Sequence, residues 1–270
     1  NDKDISIGVD SWQWKVGDTT ASQCITRSGV HTNYCVLAVP AEPWYKSVNT
    51  HPWASALDIA CRRVLWAGGA TDTGEAATKI TRAIYGASVF EYWSACNYSD
   101  ADAPILNLTQ CIERLKGSAG KGPQVNCLDC ANFVVTFGNL VAPKLYTLTM
   151  GKGQNYPFDT NPFCAIGMAP WTPPPGGWRF SYHVVAVENK SVDAYGDLVY
   201  DACLKVDNDT NPLISSPGHT MYLPTGLKFS DEVNLGYPYV WYDECLAAPG
   251  ENGYDRCWPN KDSRTVSPIQ

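Results

Sequence analysis

The longest apolar run in this 270-residue chain, Ala131 to Pro143, is interrupted by Asn132, Thr136, Gly138 and Asn139. A bilayer-spanning helix needs ~20 predominantly apolar residues, so the run is excluded as a membrane span. It reads instead as part of a helix turned toward a protein core. Asn126 is a favoured N-cap, and the Gly122-Pro123 step breaks whatever precedes it. Asp129 falls in the first turn, where a carboxylate suits the helix dipole. Asn126 to Val141 is therefore the clearest helix of the sequence. Cys127, Cys130 or Ala131, Val134 and Val141 recur at spacings of three, four and seven, which puts Cys127 at the helix start on the inward face.

Hydrophobic residues make up 44% of the chain and charged residues 17%, enough for a large packed core. Ten tryptophans and a 12% aromatic content argue against disorder. The formal net charge of -7 excludes the basic face that a nucleic-acid partner requires. The opening Asn1-Asp2-Lys3-Asp4 has neither the basic nor the apolar region of a signal peptide, and reads as a mature or trimmed start. Eleven cysteines point to an oxidising compartment, hence to a secreted protein whose loops are stapled by disulfides. Four Asn-x-Ser/Thr sequons, at Asn97, Asn107, Asn189 and Asn208, fit that expectation. Eleven is odd, so at least one thiol is left over within the chain.

Residues 1 to 50 read as a β-rich segment packed on the remainder, with strands in Ile5 to Val16 and His31 to Val39. Cys24 and Cys35 flank the turn signal Arg27-Ser28-Gly29, which predicts a hairpin closed by a disulfide. Residues 51 to 270 form the main domain. Two helices are expected between 52 and 85. Ala54, Leu57, Ala60, Cys61, Val64 and Leu65 mark the first, and Ala76, Ala77, Ile80, Ala83 and Ile84 the second, capped by Thr71 or Thr73. Residues 86 to 123 are loop-rich. Strands follow at Trp178–Glu188, Leu198–Val206 and, more weakly, Thr220–Leu223, and a tail from Gly236 is expected to wrap the surface. Helices precede strands, so the fold class is α+β.

A thiol at a helix start is favoured as thiolate by the exposed amide dipoles, and a thiolate is the nucleophilic form. It still needs a base, and the base an orienter. Of the four histidines, His31 sits in the expected hairpin, and His51 and His219 sit in loops. Only His183 lies inside an apolar strand, Arg179-Phe-Ser-Tyr-His-Val-Val-Ala-Val. A polar ring there needs a partner or a job. Asp201 lies in the next apolar strand, on the face shared by Val199 and Cys203. A carboxylate beside an imidazole on neighbouring strands is the orienter geometry.

These residues resemble a family. A helix beginning Cys127-x-Asp129-x-Ala131 and followed by an apolar run, then His183-Val-Val-Ala-Val, then Val199-Tyr-Asp201 is similar to the transglutaminase-like superfamily of papain-like thiol enzymes. The expected helix at Thr73–Tyr85 resembles the one that precedes the nucleophile in that family, and the likeness covers roughly residues 52 to 225. It departs where Asn126 stands before the nucleophile, in place of the usual Gly or Gln, and where His183 lacks the Trp that often follows by two. The resemblance implies a nucleophile helix packed on an antiparallel sheet. It also implies acyl transfer from a protein or peptide carboxamide through a Cys127 thioester, with His183 shuttling the proton and Asp201 holding the imidazole. It implies no cofactor. The acceptor is an amine in a transferase, or water in a cysteine peptidase or protein deamidase. Gln124 is the candidate second donor to the oxyanion, beside the Cys127 backbone amide. Trp171 and Trp178, in and after the long loop from Met150 to Gly177, are candidate substrate-wall residues.

Plainer readings exist for each feature. Cys127 could belong to a disulfide, and Cys130 could be a core thiol. A zinc site lacks a second ligand pair. Asp207-Asn-Asp-Thr-Asn211 spaces oxygens as a calcium loop does but lacks that loop's Gly and Glu, and reads as a solvated turn. Without a reactive thiol the chain would be a disulfide-rich binding module rather than an enzyme. Nothing in the sequence sets an oligomeric state.

Overall fold

A computed structural model of the chain describes residues 4–16, 23–45, 51–62, 66–100, 102, 105–142, 144–151, 156–169, 178–207, 221–230 and 241–270, with the backbone alone for 12–16, 23–29, 207 and 254. The N-terminal segment is a two-stranded antiparallel ribbon, β1 (Ser6–Val16) and β2 (Gln23–Cys35). β2 runs unbroken through Arg27-Ser28-Gly29, so Cys24 and Cys35 lie near opposite ends of one strand. At roughly 3.3 Å per residue they are far beyond the reach of a disulfide, and the expected Cys24–Cys35 hairpin is replaced by a longer one. The ribbon joins the rest at its base. Ile5 exchanges backbone hydrogen bonds with Gly69 and Ala70, and the Tyr34 hydroxyl donates to Asp58.

Two helices follow, α1 (Ala54–Ala60) and α2 (Thr73–Tyr85). Asp72 caps α2 by accepting from the Glu75 amide at 2.8 Å, so the cap falls between the two threonines expected for it. The short β3 (Glu91–Tyr92) and the unforeseen α3 (Leu108–Leu115) lead to β4 (Gln124–Val125), which pairs parallel with β3. Then comes α4 (Cys127–Val141). Every residue of α4 except Leu128 is buried, so it is the axis of the core rather than a surface helix with one apolar stripe.

The two asparagines that interrupt the apolar run of α4 donate through their side chains. Asn132 donates to Ser99 Oγ at 3.0 Å. Asn139 accepts from the Leu145 amide at 2.7 Å and donates to the Leu145 and Glu42 carbonyls. The Thr136 carbonyl accepts from the buried Trp44 indole at 2.8 Å. Buried polar groups are tolerated when paired in this way.

The sheet beneath α4 has five antiparallel strands, in the order β13, β10, β9, β5, β14. These are β5 (Leu145–Met150), β9 (His183–Glu188), β10 (Leu198–Tyr200), β13 (Thr225–Lys228) and β14 (Pro259–Thr265). α4 lies across β9 and β5, and α1 and α2 pack on α4. Smaller pairings carry the remaining strands. β6 (Phe158–Asp159) pairs with β8 (Arg179–Phe180). β7 (Phe163–Ala165), β11 (Leu204–Asp207) and β12 (Met221–Tyr222) form a three-stranded sheet. α5 (Tyr242–Leu246) precedes β14. The class is α+β. The C-terminal region does not simply wrap the surface, because β14 forms an edge of the main sheet and α5 is largely buried.

No disulfide joins the described cysteines. Cys61, Cys111, Cys127, Cys130, Cys164, Cys203 and Cys257 are buried thiols, so the expectation of disulfide-stapled loops gives way to cysteine used as a small core hydrophobe. Among the described residues no helix is long and apolar enough to cross a membrane.

Candidate active site

Three features fix the start of α4. The Asn126 side chain accepts from the Asp129 amide at 3.1 Å, and Asp129 Oδ2 accepts from the Asn126 amide at 3.3 Å, a reciprocal capping box. The same carboxylate takes amides from Asn97 at 2.8 Å, Tyr98 at 3.1 Å and Ser99 at 2.6 Å, tying the loop before α3 to the helix. Asp129 is wholly buried. Burial raises its carboxyl above the ordinary value, while the backbone donors pull the other way. Farther along the chain, Gly167 (φ +72°) passes so close to the Phe90 carbonyl that a Cβ would sit 2.3 Å from it. Only glycine lets this turn seat beside β3, which in turn pairs with β4 ahead of the helix. Cys127, the first residue of α4, is thus held rigidly at the amide-bearing end with 6% of its surface exposed.

His183 opens β9 and is completely buried. Its Nε2 lies 2.9 Å from Asp201 Oδ2. Phe180 stacks on the imidazole, with centroids 5.2 Å apart and planes 15° apart, and Phe163 stacks behind Phe180 at 5.2 Å. Nδ1, on the other edge of the ring, has no partner of hydrogen-bond geometry among the described residues. Cys127 is the side chain besides Asp201 that acts on the imidazole's charge. The sulfur therefore lies near the ring without the alignment of a made bond, and such looseness is normal in an unliganded thiol–imidazole pair. Burial alone would lower the imidazole pKa. The Asp201 carboxylate, its hydrogen bond and then Cys127 outweigh it and raise the value from 6.5 to about 10. The site favours an imidazolium over a neutral ring.

Asp201 is placed by a break in the strand rather than by strand alternation. The stretch expected to run from Leu198 to Val206 as one strand divides after Tyr200. β10 stays in the five-stranded sheet and β11 joins the smaller one. At the break Asp201 Oδ1 accepts from the Cys203 amide at 2.7 Å and the Leu204 amide at 3.2 Å, while its own amide donates to the Pro224 carbonyl. A short polar side chain bonding to amides two and three residues on is the usual way such a residue ends a strand.

The other residues singled out in the sequence are dispersed. Gln124 sits in β4, three residues before Cys127, with its side chain exposed. Trp178 is half-buried edge-on against Phe163 (5.1 Å, 84°), in the aromatic stack behind His183. Trp171, His219 and the 208–211 part of the oxygen-rich turn lie outside the described residues. His31 lies in β2 opposite Asp10, and His51 is exposed ahead of α1. Cys130, one turn beyond Cys127, lies beside Cys203, and burial holds both thiols above the ordinary value. Among the described residues no group of three or more His, Cys, Asp or Glu side chains is arranged to hold a metal.

Sequence reasoning passed over three groups at this site. Phe180 backs the imidazole. Tyr182, 37% exposed, immediately precedes His183, and its hydroxyl is raised by burial and by the neighbouring Cys127. Tyr242, from α5, donates its hydroxyl to Asp201 Oδ2 at 2.7 Å. A lone tyrosine 41 residues beyond the aspartate carries no local signal of that contact. No family model, no curated protein and no solved structure matches this chain.

Proposed function

We propose that the chain is a thiol acyltransferase of the transglutaminase-like kind, acting on protein carboxamides through a Cys127 thioester. One observation carries this reading: His183 is anchored to Asp201 through Nε2, its buried Nδ1 has no partner of hydrogen-bond geometry among the described residues, and Cys127 lies close enough to act on the ring. Most buried side-chain polar atoms are paired, so an open Nδ1 facing no bond of its own fits a working edge. In the proposed reaction the Cys127 thiolate adds to the carboxamide carbon, and the oxyanion meets the Cys127 amide at the start of α4. The imidazolium gives its Nδ1 proton to the departing nitrogen, the C–N bond breaks, and ammonia leaves. An acceptor then attacks the thioester carbon and returns a proton to Nδ1 as the C–S bond breaks. Asp201 stays ionised throughout and steadies the imidazolium.

The same acyl-enzyme serves a lysine amine or water. The packing of Trp178 against Phe163 removes one reason to expect a wall that excludes water, so hydrolysis by the same three residues is the second reading. Casein offered with and without a biotinylated alkylamine separates the two. Biotin incorporation that disappears in Cys127→Ala supports transfer. Ammonia or new N-termini without incorporation replace transfer with deamidation or peptide cleavage. Absence of all three, with Cys127 no faster than the other thiols toward iodoacetamide, defeats the enzymatic reading.

A further inference from the structure

The Asp201 carboxylate meets a partner that comes from neither β9 nor β10. Tyr242 is wholly buried at the start of α5, and its hydroxyl donates to Oδ2 at 2.7 Å, the same oxygen that faces His183 Nε2 at 2.9 Å. Oδ1 is filled by the Cys203 and Leu204 amides. Four donors thus meet the four lone-pair directions of an ionised carboxylate, and a protonated Asp201 would have to give one up. The phenol is itself held. Its ring packs on Phe229 with centroids 6.1 Å apart, and the next amide, Asp243 N, donates to the Phe229 carbonyl at 3.0 Å.

We infer that Tyr242 is a positioning residue for the Cys127–His183 pair, acting through Asp201. Its hydroxyl keeps the carboxylate anionic and aims Oδ2 at Nε2, which leaves Nδ1 as the working edge of the imidazole. This inference rests on the thiol-enzyme reading above. A phenol that only closed its own hydrogen bond could use any main-chain carbonyl; this one uses the oxygen that orients the base. The hydroxyl stays protonated, because burial and the Asp201 charge both raise its pKa well above the ordinary phenol value. The titratable groups acting on Asp201 are His183 from β9, Tyr242 from α5, Cys203 beyond β10, Cys130 from α4 and Tyr85 from α2. His183 alone among them becomes a cation, so the charge that faces Asp201 is that of the imidazolium.

The test is the pH dependence of Cys127 alkylation by iodoacetamide, together with amine incorporation into casein. In Tyr242→Phe the buried carboxylate is one donor short. The acid limb of the alkylation profile should then move up by about one pH unit, and kcat should fall roughly tenfold with KM changed less than about twofold. In an Asp201→Asn background the same change should add less than about twofold, because the two act as one unit. A 3,5-difluorotyrosine at position 242 is a stronger donor of nearly the same shape and should move the limb down. That variant keeps ring and hydrogen bond, so it decides the matter even if Tyr242→Phe does not fold. Fast wild-type alkylation of Cys127 with a limb unmoved by the fluorinated ring overturns the role of Tyr242 and leaves the thiol-enzyme reading intact. Slow wild-type alkylation of Cys127 overturns that reading itself.

Discussion

Asp129 and Asp201 form an instructive pair. Both are buried carboxylates (0% and 1% exposed), and each accepts four hydrogen bonds. By burial and bonding alone they are the same residue. Their donors separate them. Asp129 is surrounded by the main-chain amides of Asn97, Tyr98, Ser99 and Asn126, and can only hold those segments in place. Asp201 gives one oxygen to main chain and the other to an imidazole and a phenol. Main-chain donors cannot change protonation state, whereas imidazole can. On the proposed reading, a buried aspartate belongs to chemistry when its partners titrate and to architecture when they do not.

The contrast is sharpest in activity. Asp201→Asn preserves shape but presents an amide to Nε2, so the imidazole is held in the wrong tautomer. Turnover should fall on the order of 10³–10⁴-fold while the protein stays folded. Near-normal turnover would erase the distinction between the two aspartates. Asp129→Asn should do the reverse. It breaks the capping box and turns an amide toward main-chain N–H groups, costing roughly 2–4 kcal/mol in urea unfolding. Cys127 alkylation in the folded protein should fall far less than in Asp201→Asn, because Asp129 holds the helix start but does not touch the imidazole. An alkylation loss as large as that of Asp201→Asn would mean Asp129 also belongs to the chemistry.

A smaller effect concerns pH. The His183 pKa is raised on folding, from 6.5 to about 10. The folded state therefore binds the proton more tightly, and the contribution to stability is whole below pH 6.5. It is lost progressively as pH rises toward 10. The difference in urea midpoint between wild type and His183→Gln should shrink across that window; a constant difference would count against a stable imidazolium. The least effect is expected at Phe180. Phe180→Leu should lower stability by about 1 kcal/mol and turnover a few-fold, as the ring loses its stacked support. Loss of activity without any change in stability would instead make Phe180 a substrate contact.

The parts of this arrangement that were legible in the sequence are those written in local signals. The Gly-Pro break, Asn126 and Asp129 announce the start of α4, and the order Cys127, His183, Asp201 is visible along the chain. What was hidden depends on partners distant in sequence. β14 reads Pro-Asn-Lys-Asp-Ser-Arg-Thr, with no apolar period. It is a strand because β5 offers it an edge and because Arg264 bonds the buried Asp197 through Nε at 2.9 Å and Nη2 at 2.6 Å. α5 is five residues long, too short for a helical pattern. The division between β10 and β11 is masked because Ala202 and Cys203 continue the apolar run, while the Asp201 carboxylate captures the amides that end it. The cysteines misled because composition reports how many there are but not that so many are packed as core thiols.

The site's side chains lie far apart along the chain, and this has a consequence in time. Translation proceeds from Cys127 through His183 and Asp201 to Tyr242. At ~5–20 residues per second, the last is added on the order of ten seconds after the first. A nascent chain on the ribosome therefore carries the thiol of α4 well before the sheet that bears its imidazole, and longer still before α5 can dock. Until then Cys127 lacks the imidazole that, on the proposed reading, activates it. If Cys127 is the nucleophile proposed above, the order of synthesis alone keeps it quiet on the ribosome.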